Sequence, residues 1–236
     1  MLSTLLAIET FFVEFFTALT TNWQMILGDT GVTLYIVLAS TVLSYVFGIP
    51  TGIILVITSK DGIHPMPKLN AVLGVIVNLL RSVPFLLMIF MIMPITKLIT
   101  GTSFGANATI VPLVFSAAPY IARLVESSLR EIDFGVIEAA QSMGASNWQI
   151  ITKVMLPESK PSLLVGAAIA ATTILGYSAM AGVLGGGGLG DIAIRYGYYR
   201  YDKPLMYVCI VLLVVITQVL QEAGLKIATK SDKRLH

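Results

Sequence analysis

Three long stretches of this 236-residue chain contain no charged side chain. They lie between Asp29 and Lys60, between Lys97 and Arg123, and between Lys160 and Asp191. Each stretch exceeds the ~20 apolar residues that an α-helix needs to cross about 30 Å of hydrocarbon. Charged residues make up 12% of the chain, whereas soluble domains carry about 25%. The sequence therefore predicts a polytopic integral membrane protein and excludes a soluble enzyme, a nucleic-acid binder and a disordered chain.

Every membrane-spanning segment is predicted to be helical, because an open strand edge cannot face lipid. The predicted fold class is all-α, with five transmembrane helices at about 31–58, 69–94, 104–125, 162–183 and 203–225. The remaining segments are an apolar extension at 1–30, a long loop at 126–161 and a basic tail at 226–236.

The distribution of basic residues predicts the orientation of these spans. One side receives ten basic residues: Lys60, Lys68, Arg123, Arg130, Lys153, Lys160, Lys226, Lys230, Lys233 and Arg234. The other side receives four: Lys97, Arg195, Arg200 and Lys203. Because cytoplasmic loops carry the excess of Lys and Arg, the 126–161 loop and the C-terminus are predicted to be cytoplasmic. The N-terminus is then outside.

The extension at 1–30 allows two interpretations. Residues 5–27 are apolar, but Glu9 and Glu14 interrupt them and no basic residue anchors their start. We predict an aromatic-rich helix that lies at the outer interface or leads into the first span. A sixth span is the alternative.

The long loop contains signals for two short helices. Asp133 is a preferred N-cap residue, and the first helix is predicted to run through Glu138, Ala139 and Ala140. It is predicted to stop at Gly144, since glycine is favoured in the left-handed position after a helix. The result is one arm of a rigid elbow.

The second arm begins with a capping box. Ser146 precedes Gln149 by three residues, the spacing at which each side chain bonds the other's backbone. Pro157 is expected to end this helix.

The loop also carries a family signature. Glu138-Ala139-Ala140 is followed after three residues by Gly144, and after nine more by Val154-Met155-Leu156-Pro157. This pattern resembles the "EAA" signature of the permease subunits of bacterial ABC importers. The segments RSVPF (81–85), VPLVFSAAPYIARLVE (111–126) and GYSAMAGVLGGGGLG (176–190) are similar to the methionine-uptake permeases in particular. An arbitrary amphipathic elbow is the alternative.

The resemblance implies an architecture and a set of partners. Residues 31–225 would form a type-1 ABC transmembrane domain in the bacterial inner membrane, as a homodimer surrounded by lipid. Two cytosolic ATPase subunits would receive the elbows, and an external binding protein would deliver methionine. The residues implied in ATPase coupling are Glu138, Ala139, Ala140, Gly144, Ser146, Leu156 and Pro157.

The chain itself lacks the motifs of an ATPase or another enzyme. It has no G-x-x-x-x-G-K-[ST] phosphate loop, so ATP and Mg²⁺ are expected on the partner ATPase, with no cofactor, metal or catalytic residue on this chain. Glycines 185, 187 and 190 do match G-x-G-x-x-G. They follow an apolar helix rather than a strand, which favours a flexible, close-packing turn at the outer mouth.

A second group of residues is a candidate substrate path or gate. Arg81 interrupts the second span close to Pro84, and a charge at that depth should face protein or a wet cavity. The alternative is a structural cation that bonds carbonyls exposed by the proline. The fourth span contributes a face of small and polar residues, for which ordinary helix packing is the alternative: Thr172, Thr173, Tyr177, Ser178 and Met180.

The leading functional prediction is therefore a permease subunit of an ATP-driven importer, most simply for methionine. An ABC permease for another amino acid or small solute stays open. A self-contained secondary transporter is less favoured, because such proteins place coupling carboxylates inside their spans. Here every Asp and Glu falls outside the interiors of the predicted spans.

Overall fold

The computed structural model describes residues 2–182 and 185–231, apart from the side chains of residues 2–8. The described chain is built from helices, which we label in order. They are α1 (Leu2–Thr21), α2 (Trp23–Ile57), α3 (Pro67–Ser82), α4 (Phe85–Thr100), α5 (Ala106–Arg130), α6 (Phe134–Ser142), α7 (Asn147–Gln149), α8 (Leu156–Glu158), α9 (Lys160–Ala181), α10 (Leu189–Ile192) and α11 (Lys203–Ser231). Two π-helical segments, Ile150–Met155 and Ala193–Tyr198, follow α7 and α10.

Within the described ranges, four helices are long and apolar enough to cross a membrane: α2, α5, α9 and α11. Helices α3 and α4 also meet these criteria as a pair, but they are bent by 111° at a short break. The pair counts as one further span if it makes a single crossing.

Side-chain contacts between α2 and α5 show that α3 and α4 together make that one crossing. The Tyr35 hydroxyl donates to Asn107 Oδ1 at 2.9 Å. Further along both helices, Gly52 lies against Ala122. Because residue numbers rise together along the contact, α2 and α5 are parallel, and the chain between them must return across the membrane once. The prediction of five transmembrane helices in an all-α fold is confirmed.

The contact between α2 and α5 requires glycine on α2. A Cβ added at Gly48 would lie 2.5 Å from Ile121 Cγ2, and one at Gly52 would lie 2.7 Å from the Ala122 carbonyl oxygen. Small residues let two helix backbones approach closely, which is the main source of helix association in lipid.

The last two spans also cross the membrane in alternating directions. Ser128 and Ser162 share a hydrogen bond of 2.9 Å, and Gly166 lies near Leu124, so α9 runs antiparallel to α5. Gly224 in α11 packs on Ala168 in α9, and α11 starts at the opposite end of the bundle. The end of α11 therefore lies on the same side as the loop between α5 and α9.

The first span begins earlier than predicted, at Trp23 instead of residue 31. The sequence estimate stopped at the charge of Asp29. In the structure, Asp29 stays within the helix because its carboxylate oxygen accepts a hydrogen bond from the Gly188 N–H at 2.9 Å. The last span likewise continues to Ser231, past the predicted limit at 225. Residue 183 of the predicted fourth span and the basic residues Lys233 and Arg234 lie outside the described residues.

Helix α1 confirms a helix in the N-terminal extension. Its Phe11 ring meets the Tyr207 ring edge to face at 5.3 Å, and Phe15 and Leu19 pack on a cluster that includes Leu205. Helix α1 therefore packs against the first turns of α11, at the end of the bundle away from the α5–α9 loop.

The second span differs from its predicted form. It was expected to be continuous, but α3 ends at Ser82, Val83 and Pro84 are extended, and α4 starts at Phe85. The residue before a proline is disfavoured in the helical conformation, which explains the break at Val83. Arg81 therefore lies in the last turn of α3, beside the bend, and not in the middle of a continuous helix.

Candidate functional site

The loop between α5 and α9 forms an elbow of two helical arms, which we define as residues 133–158. The first arm is α6. Its N-terminus is capped by Asp133, whose Oδ1 accepts a hydrogen bond from the Gly135 N–H at 2.7 Å. Its C-terminus is closed by Gly144, with φ of +78°, and by a hydrogen bond from the Ala145 N–H to the Ala140 carbonyl at 3.1 Å. Both predicted caps are confirmed.

The second arm starts with the predicted capping box. Ser146 Oγ accepts from the Gln149 N–H at 3.4 Å, and Gln149 Oε1 accepts from the Ser146 N–H at 2.9 Å. The two arms are thus joined by a short turn in which both helix ends have bonded backbone groups.

The prediction that Pro157 ends the second arm is confirmed to within one residue, because α8 ends at Glu158 and Ser159 caps it. Pro157 lies in the first turn of α8, where the missing N–H is tolerated. The next helix, α9, starts at Lys160, directly after the single turn residue Ser159. The Ser159 N–H donates to the Met155 carbonyl at 3.1 Å. The second arm is therefore joined directly to the fourth span.

One face of the elbow is part of the protein core. Ile137, Ala140, Ile150, Ile151 and Met155 are buried in the same cluster as residues from α2, α5 and α9. Because both arms contribute to this cluster, the elbow is fixed against the ends of the spans.

The opposite face of the elbow is open. Of the seven residues implied in coupling, Ala140 is buried and Leu156 half-buried, so these two hold the elbow in place. The other five are exposed: Glu138, Ala139, Gly144, Ser146 and Pro157. Sequence reasoning missed Met143 and Trp148, whose side chains are 82% and 72% exposed on either side of the turn. Their position beside the two predicted helix caps was the sequence feature that could have identified them.

A charged network lies just before the elbow, and sequence reasoning also missed it. Glu126 on α5 is buried. Its Oε2 lies 2.5 Å from Arg123 Nη1, and its Oε1 accepts from Arg130 Nε and Nη2 at 3.2 and 3.0 Å. Arg123 Nη2 also reaches α3, where it donates to the Gly74 carbonyl at 3.2 Å and to Asn78 Oδ1 at 2.8 Å. In the sequence, Glu126 lies three residues after Arg123 and four before Arg130. This spacing places the three charges on one face of α5 and could have predicted the network.

The candidate path residues are brought together only in part. The Tyr177 ring stacks on the Phe85 ring, so the last turns of α9 lie beside the start of α4, next to Pro84. Arg81 is exposed and forms no hydrogen bond or ion pair with any described residue. The alternative in which Arg81 bonds carbonyls near the proline is therefore absent from this structure.

The other candidate path residues on α9 have mostly local partners. The hydroxyls of Thr172 and Thr173 both donate to the Ile169 carbonyl at 2.9 Å. Ser178 is buried and donates to the Leu175 carbonyl at 2.7 Å. Met180 is exposed. Bonds within the helix satisfy these hydroxyls, and Tyr177 contacts another span through the Phe85 ring.

The glycine run at the opposite end of the bundle is bonded to α2. Gly188 has φ of +83°, and its N–H donates to Asp29. The next N–H, of Leu189, donates to Thr33 Oγ1 at 2.9 Å. The structure thus places a turn where the sequence predicted one. This turn is held by side chains of the first span at Gly188 and Leu189.

A buried carboxylate follows this turn. Asp191 pairs with Arg195 at 2.9 Å. Burial raises the pKa of Asp191 above its ordinary value, an effect that the Arg195 charge opposes and the Asp29 charge reinforces. The guanidinium of Arg200 lies 4.7 Å from the centre of the Tyr196 ring. Within the described ranges, no group of three or more His, Cys, Asp or Glu residues is placed to hold a metal ion.

Five crossings and a folded elbow between the third and fourth define a polytopic α-helical membrane protein of the permease class. Residues 48–223 match the family described as "Binding-protein-dependent transport system inner membrane component", and the chain belongs to this family.

Individual relatives are similar over most of their length. The chain is 48% identical over 213 residues to the probable D-methionine transport system permease protein MetI of Vibrio cholerae, covering 90% of this chain and 95% of the relative. It is 42% identical over 181 residues to the methionine import system permease protein MetP of Bacillus subtilis, covering 77% and 82%.

Solved structures agree with the fold. A chain of the MetNI methionine ABC transporter in inward-facing conformations superposes with a TM-score of 0.89 at 40% identity, covering 90% of this chain and 99% of that one. A chain of an amino acid ABC transporter superposes with a TM-score of 0.70 at 18% identity, a likeness of fold alone.

Proposed function

We propose that this chain is the permease subunit of an ATP-driven importer that takes up methionine. The observation that carries the proposal is the 48% identity to a probable D-methionine permease over nine tenths of the chain. The same relationship extends to the three-dimensional structure, since the fold superposes on a methionine ABC transporter chain with a TM-score of 0.89. The permease supplies the membrane path, and ATP is hydrolysed on a separate chain.

The elbow is the proposed docking site for that ATPase. Its inner face is held in the core by Ile137, Ile150 and Met155. Its outer face presents Met143 and Trp148, two exposed apolar side chains beyond the ends of the spans. Large apolar side chains at the centre of an interface contribute most of its binding free energy. A folded partner with an apolar cleft fits this face.

The remaining assembly follows from the same proposal. Two copies of the chain form the membrane unit, with the candidate path residues facing the route between them. An external binding protein delivers the substrate at the end of the bundle that carries the glycine run. The elbow and the end of α11 then lie in the cytoplasm, in agreement with the excess of basic residues on that side.

A secondary transporter is the second candidate, and the positions of the buried carboxylates argue against it. Ion-coupled carriers place titratable groups in the middle of their spans. Here Glu126 is paired with two arginines near the elbow, and Asp191 is paired with Arg195 in the short helix α10. Neither buried carboxylate lies at the middle of a span, and the half-buried Asp29 lies within the first two turns of α2, where it bonds the Gly188 N–H.

Uptake by purified components tests the proposal. The chain, its ATPase and its binding protein are reconstituted in liposomes, and uptake of labelled methionine is measured with ATP inside. Competition by unlabelled L-methionine, D-methionine and other amino acids ranks the substrates. We expect ATP-dependent uptake that methionine inhibits best. Uptake driven by an ion gradient without ATP would contradict the proposal, and stronger competition by another amino acid would change the substrate.

A further inference from the structure

The charged network before the elbow joins two helices that otherwise share little buried surface. Within the described residues, Val77 is the single buried side chain of α3. Helix α3 is attached by polar bonds at two levels. Asn70 donates to the Leu55 carbonyl at 2.6 Å on α2, and Arg123 donates to α3 from α5. The position of α3 relative to α5 therefore depends strongly on Arg123.

Arg123 is held rigidly on its own helix. One of its terminal nitrogens is fixed by the buried carboxylate of Glu126, and that carboxylate is fixed again by Arg130. The planar guanidinium keeps its nitrogens in constant geometry, so fixing one nitrogen also fixes the other. The nitrogen directed at Gly74 and Asn78 is therefore a rigid extension of α5.

The network lies between the elbow and the candidate path. Arg130 is the last residue of α5, and the elbow begins three residues later at Asp133. On the other side, α3 leads from Asn78 to the bend at Ser82, beyond which Phe85 stacks on Tyr177. A continuous series of contacts thus joins the elbow to α9 through α3, separately from the direct chain connection at Ser159.

We propose that Arg123 is a positioning residue that makes α3 move with the elbow. A displacement of the elbow carries the end of α5 with it, and the Arg123 bonds to Gly74 and Asn78 transfer the displacement to α3 and to its bend. This inference rests on the proposed function, because it assigns to the network the task of transmitting ATPase movement to the path.

Asn78 allows the link between α5 and α3 to be weakened without breaking the buried ion pair. Its side chain is exposed, so Asn78→Ala removes one acceptor and leaves Glu126 paired. Asn107→Ala is the matched control. It also removes an exposed amide acceptor between two spans, the one bonded by Tyr35, at the end of α5 away from the elbow. Arg123→Lys retains the charge but lacks the planar fork.

The measured quantity is methionine transported per ATP hydrolysed in liposomes that contain the full complex. Loss of one exposed hydrogen bond of ordinary strength changes an equilibrium by about two- to tenfold, and we expect a decrease of that size for Asn78→Ala. Co-purification of the ATPase and the rate of hydrolysis should stay at wild-type levels. The double variant Asn78→Ala with Arg123→Lys should transport as much methionine per ATP as Arg123→Lys alone. The two substitutions affect the same contact between α5 and α3, so their effects should not add.

A distance measurement supplies a second readout that does not depend on uptake. Spin labels at Ile76 and Phe134, both exposed, report the separation of α3 from the elbow without touching Met143 or Trp148. We expect one narrow distance distribution with and without ATP in the wild type, and an ATP-dependent change in Arg123→Lys.

The outcomes separate the two proposals. If the wild type couples uptake to ATP hydrolysis, two results would overturn the role of Arg123. One is an unchanged ratio of methionine transported to ATP hydrolysed in Asn78→Ala. The other is an equal loss of that ratio in Asn107→Ala. A separation between Ile76 and Phe134 that changes with ATP already in the wild type would overturn it as well. ATP hydrolysis without any wild-type uptake would instead overturn the proposed function.

Discussion

The ring of Phe85 lies flat on the ring of Tyr177, with centroids 4.7 Å apart and planes within 9° of parallel. Phe85 is the first residue of α4, directly after the bend in the second span, and Tyr177 is near the end of α9. The stacked pair therefore fixes the bend against the fourth span.

Removal of one ring tests this contact. We expect Phe85→Ala to destabilise the protein by about 3 kcal/mol, because a buried aromatic side chain is replaced by a cavity, and to slow uptake. Tyr177→Phe keeps the ring and should retain both properties. Thermal unfolding in detergent and initial uptake rates measure the two effects. Normal uptake by Phe85→Ala would show that the stacked pair is not required for transport.

A substitution at Gly144 tests backbone strain without a steric clash. Its φ is +78°, yet a Cβ added there would meet nothing within 4 Å. A substitution is therefore strained by its backbone alone, at a cost of about 1–2 kcal/mol for a β-branched residue. We expect Gly144→Val to insert and dimerise but to lose coupling of ATP hydrolysis to uptake.

Gly144→Asn is the matched control, since asparagine adopts the left-handed conformation more readily than other residues. It should retain most of the coupling. If valine and asparagine at this position coupled equally well, the left-handed turn would not be required for coupling.

The exposed face of the elbow predicts where the ATPase binds. We expect Trp148→Ala to lower the amount of ATPase that co-purifies with the permease, because an exposed aromatic anchor is lost from the interface. Glu138→Lys should also weaken association by reversing a charge on the docking arm. Tyr201→Ala, at a residue 81% exposed at the other end of the bundle, is the control. Equal loss in all three variants would place the docking site elsewhere.

Two glycines of the 185–188 run should respond differently to alanine. Both have positive φ, but a Cβ at Gly188 would also lie 2.6 Å from Thr33 Oγ1, whereas one at Gly185 would meet nothing within 4 Å. Gly188→Ala combines strain with a steric conflict and the loss of the Asp29 bond. We expect it to lower the unfolding temperature more than Gly185→Ala, by differential scanning fluorimetry. The reverse order would contradict the observed contact with α2.

Chemical labelling of single cysteines tests the orientation. A membrane-impermeant thiol reagent added to intact cells should label Tyr201→Cys and leave Met143→Cys unlabelled. Both positions are exposed and lie at opposite ends of the bundle, and the native Cys209 is buried. The opposite labelling pattern would invert the topology inferred from the basic residues.

The features that the sequence predicted well depend on neighbouring residues. The cap at Asp133, the left-handed Gly144 and the Ser146–Gln149 box are each closed by bonds within a few positions, so the local pattern determines them. The number of spans was predicted from the long uncharged stretches of the sequence. These parts of the fold and of the elbow were accessible without a structure.

The features that the sequence missed depend on distant partners. Asp29 remains inside a span because it bonds a backbone N–H 159 positions away, and Arg123 bonds a carbonyl 49 positions away. The length of the first span and the link to α3 follow from those contacts.

The short connection between the second arm and α9 turns a small angle into a useful distance. Only Ser159 separates the end of α8 from the start of α9, so a tilt of the elbow that α9 follows is largest at the far end of the span. For the 22-residue α9, a tilt of about 5° displaces the far end by on the order of 3 Å. That displacement is comparable to the diameter of a water molecule. Tyr177 lies near that far end, so such a tilt would shift its ring by nearly as much relative to the Phe85 ring that it stacks on.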